Sequence, residues 1–332
     1  MAISLKEINA FKTEETTQEI IEISTENELK DAVTKHPDHI VLGKGTNTLF
    51  VKNIFIPVLI NEFKGIKIQE EDKESITYII GGGEIWTDVV DKMCEKNLWG
   101  LEYLSGIPGS AGAGVVKNIG AYGSELSDIC KAVNVYDKEK QAFREIKSKD
   151  CKFGYRTSIF EKMPNQYIIT DIVITIQKQN KNAEQQFLIN TRNRGVGTPK
   201  AYTPIEISKE ITKTRNRKLP SPETSPNAGS FFKNPILNEK ESENILQKHK
   251  KLKHWKTDEG TKFSAGELIE LCGMKGYKEK TGAGISEKHA LVIINNGTKR
   301  GNDIYSLSQK IQKEVSKKFK INLEPEVSIH KG

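Results

Sequence analysis

Residues 100–127, GLEYLSGIPGSAGAGVVKNIGAYGSELS, constrain the fold more than any other part of the sequence. Seven glycines lie in this stretch, and a fixed glycine loses more conformational freedom than any other residue, so an ordered backbone here needs a sharp turn or a close neighbour. Apolar residues such as Leu104 and Val115 alternate with the glycines and predict burial, which a flexible linker lacks. Ser110 and Asn118 supply hydrogen-bonding groups. The stretch therefore predicts a buried backbone that holds a ligand.

The remaining composition favours a soluble protein. A chain of 332 residues is long enough for two or three domains. No run reaches the roughly 18 apolar residues of a membrane helix, and residues 1–17 contain no apolar signal core. The four cysteines are far apart and the six histidines lack ligand spacing, so we expect reduced thiols and no metal site. We expect the protein in the cytoplasm.

The net charge of +7 leaves two kinds of partner open. Most lysines are interleaved with glutamates, which is typical of a solvated surface. A denser cluster suits a small polyanion as well as it suits a nucleic acid backbone. This cluster comprises Lys209, Lys213, Arg215, Arg217 and Lys218.

Local patterns predict an α+β chain. Capping boxes of Thr25 with Glu28 and of Thr203 with Glu206 each predict a helix start. Strands are predicted over 39–43, 56–60, 65–69, 75–80 and 168–177, a hairpin over 132–146, and helices up to Lys35, over 84–96 and over 204–218. Residues 178–200 are polar and poorly periodic, which predicts a mobile excursion.

A proline-rich segment, LPSPETSPNAGS (219–230), predicts a domain boundary. Beyond it, a capping box of Ser264 and Glu267 predicts a helix. Residues 290–296 predict a buried strand, and an apolar face over 304–319 predicts a late helix. This order of elements indicates a separate small α/β domain.

The loop GKGTNTLF (43–50) has two interpretations. It follows a buried strand directly, so it is either a plain turn or a nest of backbone N–H groups that binds phosphate. Its spacing is not that of a Walker loop. The sequence also lacks the Gly-x-Gly-x-x-Gly pattern that a Rossmann unit carries after its first strand.

Four polar residues are candidates for chemistry. Ser230 precedes two phenylalanines but lacks the Gly-x-Ser-x-Gly pattern, so the residues themselves favour a structural turn hydroxyl over a nucleophile. Arg156, in an aromatic-rich turn, is either a stacked surface guanidinium or an anion clamp. Glu324 and Glu326 are predicted to share one face of a strand, either as exposed edge charges or as part of a site.

Five motifs, in this order and at these separations, resemble the UDP-N-acetylenolpyruvoylglucosamine reductase family, flavoenzymes of peptidoglycan precursor synthesis. They are GKGTNTLF, GLEYLSGIPGSAGAGVVKNIGAYGSEL, CKFGYRTSIF, AGSFFKNP and LEPEV. The resemblance implies an FAD-binding fold of the vanillyl-alcohol-oxidase (PCMH) type in two subdomains, residues 1–65 and 66–218. A substrate-binding α/β domain, residues 219–332, would follow, with its C-terminal strand 322–330 returning toward the active site.

The same resemblance implies noncovalent FAD as cofactor and NADPH as co-substrate, since neither FAD loop contains a histidine or cysteine that could tether a flavin. NADPH would reduce FAD, and the enolpyruvyl ether of the UDP-sugar would then be reduced in turn. The implied FAD-binding residues are Gly43, Lys44, Gly45, Thr46, Asn47, Thr48, Leu49, Pro108, Gly109, Ser110, Gly112, Asn118, Gly120, Ala121 and Gly123.

The resemblance also implies roles for catalytic and substrate-binding residues. Ser230 would donate a proton to the carbanionic carbon. Arg156 would share the developing enolate charge, and Glu326 would polarise the substrate or relay protons. The implied substrate-binding residues are Tyr122, Arg215, Lys218, Asn234 and His289. Their cations account for the basic cluster without nucleic acid.

The sequence departs from the longer form of this family in one place. That form has a tyrosine that folds over the UDP diphosphate, whereas the corresponding region here reads FLINTRNRGVGTPKAY. Thr191 is near the equivalent position, and Tyr202 is the tyrosine close by. Arg192 or Arg194 is our candidate for an electrostatic substitute.

Two alternative functions predict different behaviour. An FAD-dependent sugar or alcohol oxidase of the same fold would be reoxidised rapidly by air and usually has a tethering histidine. A nucleic-acid-binding protein would be colourless, and its affinity would depend strongly on salt. For the reductase we expect a monomer that neither inserts into a membrane nor binds nucleic acid.

Overall fold

The structure, a computed structural model, describes residues 2–332. The chain forms two compact units. Among the described residues, the first contains 2–18, 45–55 and 218–332, and the second contains 19–44 and 56–217. The second unit therefore ends at residue 217, beside the predicted domain boundary at residue 219. The three-domain division stays a prediction.

Strands and short helices alternate along the chain. The strands are β1 Ile3–Ser4, β2 Thr16–Thr17, β3 Ile20–Ile23, β4 Ile40–Leu42, β5 Thr48–Phe50, β6 Val58–Asn61, β7 Ile66–Glu71, β8 Ser75–Gly81, β9 Gly120–Ala121, β10 Ser124–Glu125, β11 Cys130–Asp137, β12 Ala142–Lys147, β13 Tyr167–Gln177, β14 Asn227–Ser230, β15 Ile236–Leu237, β16 His254–Thr257, β17 Gly260–Phe263, β18 Ala283–Ile285, β19 Val292–Asn295 and β20 Ser328–His330. The helices are α1 Glu26–Lys35, α2 Trp86–Glu95, α3 Ala111–Val116, α4 Ile159–Lys162, α5 Ala183–Thr191, α6 Pro204–Lys218, α7 Glu239–Lys248, α8 Ala265–Leu271 and α9 Gly301–Phe319.

The second unit is built on a five-stranded antiparallel sheet with the order β12-β11-β13-β8-β7. Its centre is β13, whose β-branched residues such as Ile172 are fully buried, as the sequence predicts. The predicted hairpin of β11 and β12 is also confirmed. Val89 of α2 and Val115 of α3 join the same apolar core, so the glycine-rich stretch lies against this sheet.

A smaller parallel sheet, with the order β3-β6-β4, completes the second unit. Helix α1 packs beside it through Leu29. The predicted capping box of Thr25 and Glu28 is confirmed, since the threonine side chain accepts from the Glu28 N–H and the glutamate accepts from the Thr25 N–H. Parallel strands need crossover connections, and α1 supplies the one between β3 and β4.

The first unit contains two three-stranded antiparallel sheets, with the orders β14-β19-β18 and β15-β17-β16. Strand β20 pairs in parallel with β5, with Leu49 opposite Ile329. The core includes Phe231 and Phe232 together with the apolar face of α9. Phe11 and Leu49 belong to this core, so the unit is assembled from three separate parts of the chain.

The prediction that residues 178–200 form an excursion without regular structure is wrong. Helix α5 occupies the middle of the segment and buries Ala183, Phe187, Asn190 and Thr191. These positions have helical spacing, but two of the four are polar, which explains why apolar periodicity does not reveal the helix. The buried ring of Phe187 meets Tyr202 with ring centroids 5.7 Å apart.

Two local predictions in the first unit also need correction. The strand expected over 322–330 is shorter, because β20 begins only at Ser328, and Pro325 has no N–H to donate to a continuous ladder. Ser264 caps α8 as predicted, accepting from the Glu267 N–H at 3.2 Å. The carboxylate of Glu267, however, accepts from the backbone N–H of Lys253 at 2.6 Å.

Candidate functional site

Asn118 fixes the turn of the glycine-rich stretch. It is fully buried, with a φ of 41°. Its side-chain amide donates to Glu125 Oε2 at 2.8 Å and to the Gly154 carbonyl at 3.2 Å, and its Oδ1 accepts from the Ser127 N–H at 3.0 Å. The side chain therefore holds neighbouring loops together. The backbone of Asn118 is engaged as well, since its N–H donates to the Val115 carbonyl at 3.1 Å, and the contact with FAD stays a prediction.

Arg156 is attached to the same turn. Its guanidinium donates to the backbone carbonyls of Gly120 and, at 3.4 Å, of Asn118. It also lies over the ring of Tyr155, with Cζ 5.6 Å from the ring centroid. The two interpretations of this arginine are thus compatible, because stacking and backbone contacts fix the position of a cation beside the 118–120 backbone.

Gly43 and Ser110 bring the two predicted FAD loops into contact within the second unit. A Cβ added to Gly43 would lie 2.1 Å from Ser110 Oγ, so this close approach requires glycine. Ser110 is buried, and its hydroxyl makes no hydrogen bond to any of residues 2–332. A buried hydroxyl without a partner is costly, and a phosphate oxygen of bound FAD would satisfy it. The residues present therefore fit this cofactor.

Lys44, the next residue of the first loop, is engaged in an ion-pair network. Its Nζ pairs with Glu62, which also lies 3.3 Å from Lys64 Nζ. Burial raises the pKa of Glu62, but its hydrogen bonds and charge interactions with the two lysines outweigh this and hold the pKa below its ordinary value. The lysine side chain is therefore held by protein groups.

In the first unit, a distorted strand presents Ser230. Gly229 has a φ of 67°, and its N–H donates to Asn227 Oδ1 at 2.8 Å. The pairing of β14 with β19 shifts register between Asn227 and Ser230, as at a β-bulge. The Ser230 hydroxyl has no hydrogen-bond partner among the residues that the structure describes, so it is available to a ligand.

Glu326 is brought beside this serine by backbone hydrogen bonds. The Glu326 N–H donates to the Phe231 carbonyl at 2.8 Å, and Pro325 forms a bridge with Phe232. Asn47 Nδ2 donates to the Glu326 carbonyl at 3.1 Å. The first unit thus joins two predicted catalytic residues, Ser230 and Glu326, to the predicted FAD loop.

Three arginines act electrostatically on Tyr122 in the second unit. Tyr122 has a φ of 50° and is partly buried, and burial raises the pKa of its phenol, while Arg215, Arg194 and Arg217 oppose that rise. Arg215 Nε donates to the Gly106 carbonyl at 3.1 Å. The arrangement forms a concentration of positive charge beside the glycine-rich stretch, which favours an anionic ligand.

His289 and Asn234 are held in defined orientations. His289 Nδ1 accepts from the Leu291 N–H at 3.2 Å, so the neutral ring carries its proton on Nε2. Burial first, and then Lys275 and Lys218, lower the pKa of His289 and favour this neutral donor. Asn234 Oδ1 accepts from the N–H of the first residue of α8 at 2.9 Å, which leaves its amide group for substrate.

Arg192 and Arg194, the two candidates for an electrostatic substitute, differ in their interactions. Thr191 is buried and donates to the Phe187 carbonyl at 2.7 Å, so it does not replace the missing tyrosine. Arg192 and Arg194 are both exposed, but Arg194 interacts electrostatically with the Tyr122 phenol, whereas Arg192 is not among the charges that act on it. Sequence reasoning missed Asn190, which the structure places against the hairpin of β9 and β10: its Oδ1 would lie 3.1 Å from a Cβ on Gly123.

No metal site was expected, and residues 2–332 contain no cluster of three or more potential metal ligands. Burial raises the pKa of the Cys130 and Cys151 thiols to about 12, which disfavours the reactive thiolate. None of the helices in the described chain is long and apolar enough to cross a bilayer.

Residues 11–142 match the model of an FAD binding domain. Together with the α+β fold and the unsatisfied Ser110 hydroxyl, this match defines the class of the protein as an FAD-dependent oxidoreductase. Residues 221–330 match the model of the C-terminal domain of UDP-N-acetylenolpyruvoylglucosamine reductase. A reductase of that name from Flavobacterium johnsoniae is 35% identical and covers 98% of each chain. The chain therefore belongs to the UDP-N-acetylenolpyruvoylglucosamine reductase family.

Two further relatives agree with this assignment. The reductase of that name from Buchnera aphidicola is 37% identical over 98% of this chain and 94% of its own length. The crystal structure of the Thermus caldophilus enzyme covers 99% of this chain and 98% of its own, with a TM-score of 0.71 and 23% identity, and supports the fold. The predicted fold class, family and FAD cofactor are confirmed.

Proposed function

We propose that the protein reduces the enolpyruvyl ether of UDP-N-acetylglucosamine-enolpyruvate to UDP-N-acetylmuramate, with NADPH as the reductant, in peptidoglycan precursor synthesis. Membership of the family over nearly the whole chain supports this reaction. The observation that supports the mechanism best is the uncommitted hydroxyl of Ser230, on a strand hydrogen-bonded beside Glu326. FAD, held by the Ser110 hydroxyl and the backbone around Gly43, would supply the hydride-transfer chemistry of this reaction.

Ser230 is the proposed proton donor. Hydride addition to the terminal carbon of an enol ether leaves negative charge on the neighbouring carbon and its carboxylate. The Ser230 O–H can give its proton to that carbon because no protein acceptor holds it. Glu326 lies beside the serine segment and is the proposed group through which the hydroxyl recovers a proton.

Arg156 is proposed to stabilise the developing enolate. Backbone carbonyls of the 118–120 segment and the ring of Tyr155 hold its guanidinium in place. A cation that is already fixed needs no reorganisation when charge develops on the substrate. The hydroxyl of Ser110 and the backbone around Gly43 are proposed to hold FAD, on the geometry described above.

Basic residues within each unit are proposed to contribute to substrate binding. In the first unit, the Nε2–H of His289 acts with Lys218. In the second, Arg215 and Arg194 supply charge beside Tyr122. Arg194 is thereby proposed to replace the missing tyrosine electrostatically, because it, rather than Arg192, interacts electrostatically with Tyr122.

We also propose that the enzyme works in the cytoplasm as a monomer, because its nucleotide-sugar substrate and NADPH are cytoplasmic metabolites and each chain contains all the residues assigned above.

Replacing Ser230 by alanine tests the mechanism. We expect NADPH to reduce the bound flavin at an unchanged rate, while turnover of the enolpyruvyl substrate falls by about 10²–10⁴-fold, because only the second half-reaction needs the proton. Stopped-flow absorbance of the flavin measures the two half-reactions separately. Ser225→Ala, in the preceding loop, is the matched control and should leave both unchanged. Normal substrate turnover in the Ser230→Ala enzyme would reject Ser230 as the proton donor.

A further inference from the structure

Residues 248–256, KHKKLKHWK, form a concentrated positive surface that the reductase reaction does not use. We call its five lysines, Lys248, Lys250, Lys251, Lys253 and Lys256, the basic surface. All five are exposed, and none forms an ion pair with another residue in the range 2–332. Elsewhere on this protein many surface lysines are paired with glutamates, so this surface is available for an anionic partner.

The backbone beneath the basic surface is fixed. Leu252 is buried in the core of the first unit, and the Lys253 N–H donates to Glu267 at 2.6 Å. The Ser264 N–H donates to the Lys253 carbonyl at 3.1 Å. The ring of His249 packs on Phe319, with centroids 4.8 Å apart. The lysines therefore project from an ordered scaffold and present their charges together.

Exposed apolar side chains accompany these charges. Trp255 on β16 is 50% exposed, and Leu271 at the end of α8 is 44% exposed. Leu271 lines an open depression of about 380 Å³, together with Leu252 and three of the lysines, Lys248, Lys250 and Lys251. The surface thus combines a cationic rim, an apolar floor and an exposed indole.

We propose that the basic surface binds the anionic face of a phospholipid bilayer. Tryptophan favours the level of the lipid headgroups, and lysines attract anionic lipids, so the pair of features suits a membrane surface. Nucleic-acid recognition favours arginine and aromatic stacking platforms, whereas residues 247–257 contain no arginine and one aromatic residue other than histidine. The acidic turn Asp258–Glu259, which follows β16, limits the contact to the headgroup layer.

The contact is expected to be reversible and sensitive to salt. Each lysine near an anionic bilayer strengthens binding about fivefold, and the effect declines over about one Debye length. Reversing the charge of three lysines should therefore weaken binding by at least about a hundredfold. The reductase activity should remain, since none of these residues has a role in the proposed site.

Vesicle flotation with the FAD-loaded enzyme tests this proposal. Vesicles of phosphatidylcholine with and without phosphatidylglycerol are compared at low and physiological salt. We expect the enzyme to float only with anionic vesicles, and K250E/K251E/K253E to abolish flotation. Tryptophan emission gives a second readout, because Trp86 and Trp99 are buried and Trp255 is exposed: binding should shift the emission to the blue, and W255A should remove the shift.

The control variant K73E/K96E/K140E makes the same change in net charge at exposed lysines that also lack ion pairs within residues 2–332. It should retain vesicle binding, which separates a specific surface from general electrostatics. Failure of the native enzyme to bind anionic vesicles at low salt would overturn the proposal. Equal losses in the two triple variants, or tighter binding to a DNA or RNA duplex than to vesicles, would do the same.

Discussion

A buried hydroxyl without a partner is the feature that most directly connects a single residue of this protein to its cofactor. Ser110 lies where Gly43 approaches so closely that no side chain fits between them. An unsatisfied buried hydroxyl costs about 1–3 kcal/mol unless a ligand accepts its hydrogen bond. Removing the Ser110 hydroxyl should therefore have opposite effects on the stability of the apoprotein and on its affinity for FAD.

Ser110→Ala should raise the stability of the apoprotein by about 1 kcal/mol and weaken FAD binding by about tenfold. Chemical denaturation of the apoprotein and titration with FAD measure the two quantities. Ser105→Ala is the matched control, because Ser105 is also buried but donates to the Glu102 carbonyl at 2.7 Å. It should destabilise the protein without a direct effect on FAD. Unchanged FAD affinity in Ser110→Ala would refute the assigned contact.

Arg194→Ala should raise the KM for the UDP-sugar substrate by about tenfold with little change in kcat, because a charge-assisted contact to the diphosphate contributes mainly to ground-state binding. Arg192→Ala should change KM less than twofold, since Arg192 is not among the charges that act on Tyr122. Steady-state kinetics at saturating NADPH distinguish the two variants. Equal KM values for both variants would remove the role proposed for Arg194.

At the scale of elements, helix α5 gives order to a segment whose composition predicts mobility. Phe187 is buried against α6 residues Ile207 and Ile211, whereas Leu188 is 57% exposed. The helix therefore depends on one aromatic anchor. Asn190 of the same helix contacts the hairpin that carries Tyr122 and Gly123, so loss of the helix would affect the predicted substrate site.

Phe187→Ala should destabilise this region by about 3 kcal/mol, because it empties a buried aromatic position. Hydrogen exchange of residues 183–191 should become faster, while the five-stranded sheet keeps its protection. Leu188→Ala, a neighbouring change on the exposed face, should leave exchange within a few-fold of the native rate. Slow exchange in both variants would show that α5 does not rely on Phe187.

The sequence predicts elements that depend on local patterns. Thr25 with Glu28 marks the start of α1, and the β-branched run of β13 marks a buried strand. Helix α5 is missed because half of its buried positions are polar, and the strand at the C-terminus is overextended through Pro325. The local rules fail where a tertiary contact, rather than periodicity, determines the conformation.

In the candidate site, too, local sequence patterns predict some features and tertiary contacts determine others. The motif containing Ser230 identifies a candidate residue, but nothing in its neighbourhood in the sequence shows that its hydroxyl is uncommitted or that Glu326 is hydrogen-bonded to the next residue. Asn118 is recognisable as part of a motif, whereas the structure shows that its side chain joins protein loops. Contacts between residues far apart in sequence require the fold.

At the scale of the whole molecule, the chain forms two units, and residues assigned to FAD binding or to catalysis occur in both. Gly43, Ser110 and Arg156 belong to the second unit, and Asn47 and Ser230 belong to the first. The first unit is itself assembled from three parts of the chain, so its proposed proton donor depends on a fold that includes the N-terminal residues.

Anaerobic flavin spectroscopy of the purified native enzyme shows whether bound FAD passes reducing equivalents from NADPH to the enolpyruvyl substrate. NADPH should bleach the visible absorbance of bound FAD, and one equivalent of UDP-N-acetylglucosamine-enolpyruvate should restore it and yield UDP-N-acetylmuramate. A folded protein that stays colourless after incubation with FAD would contradict the account. So would a reduced flavin that oxygen reoxidises rapidly while the enolpyruvyl substrate leaves it bleached.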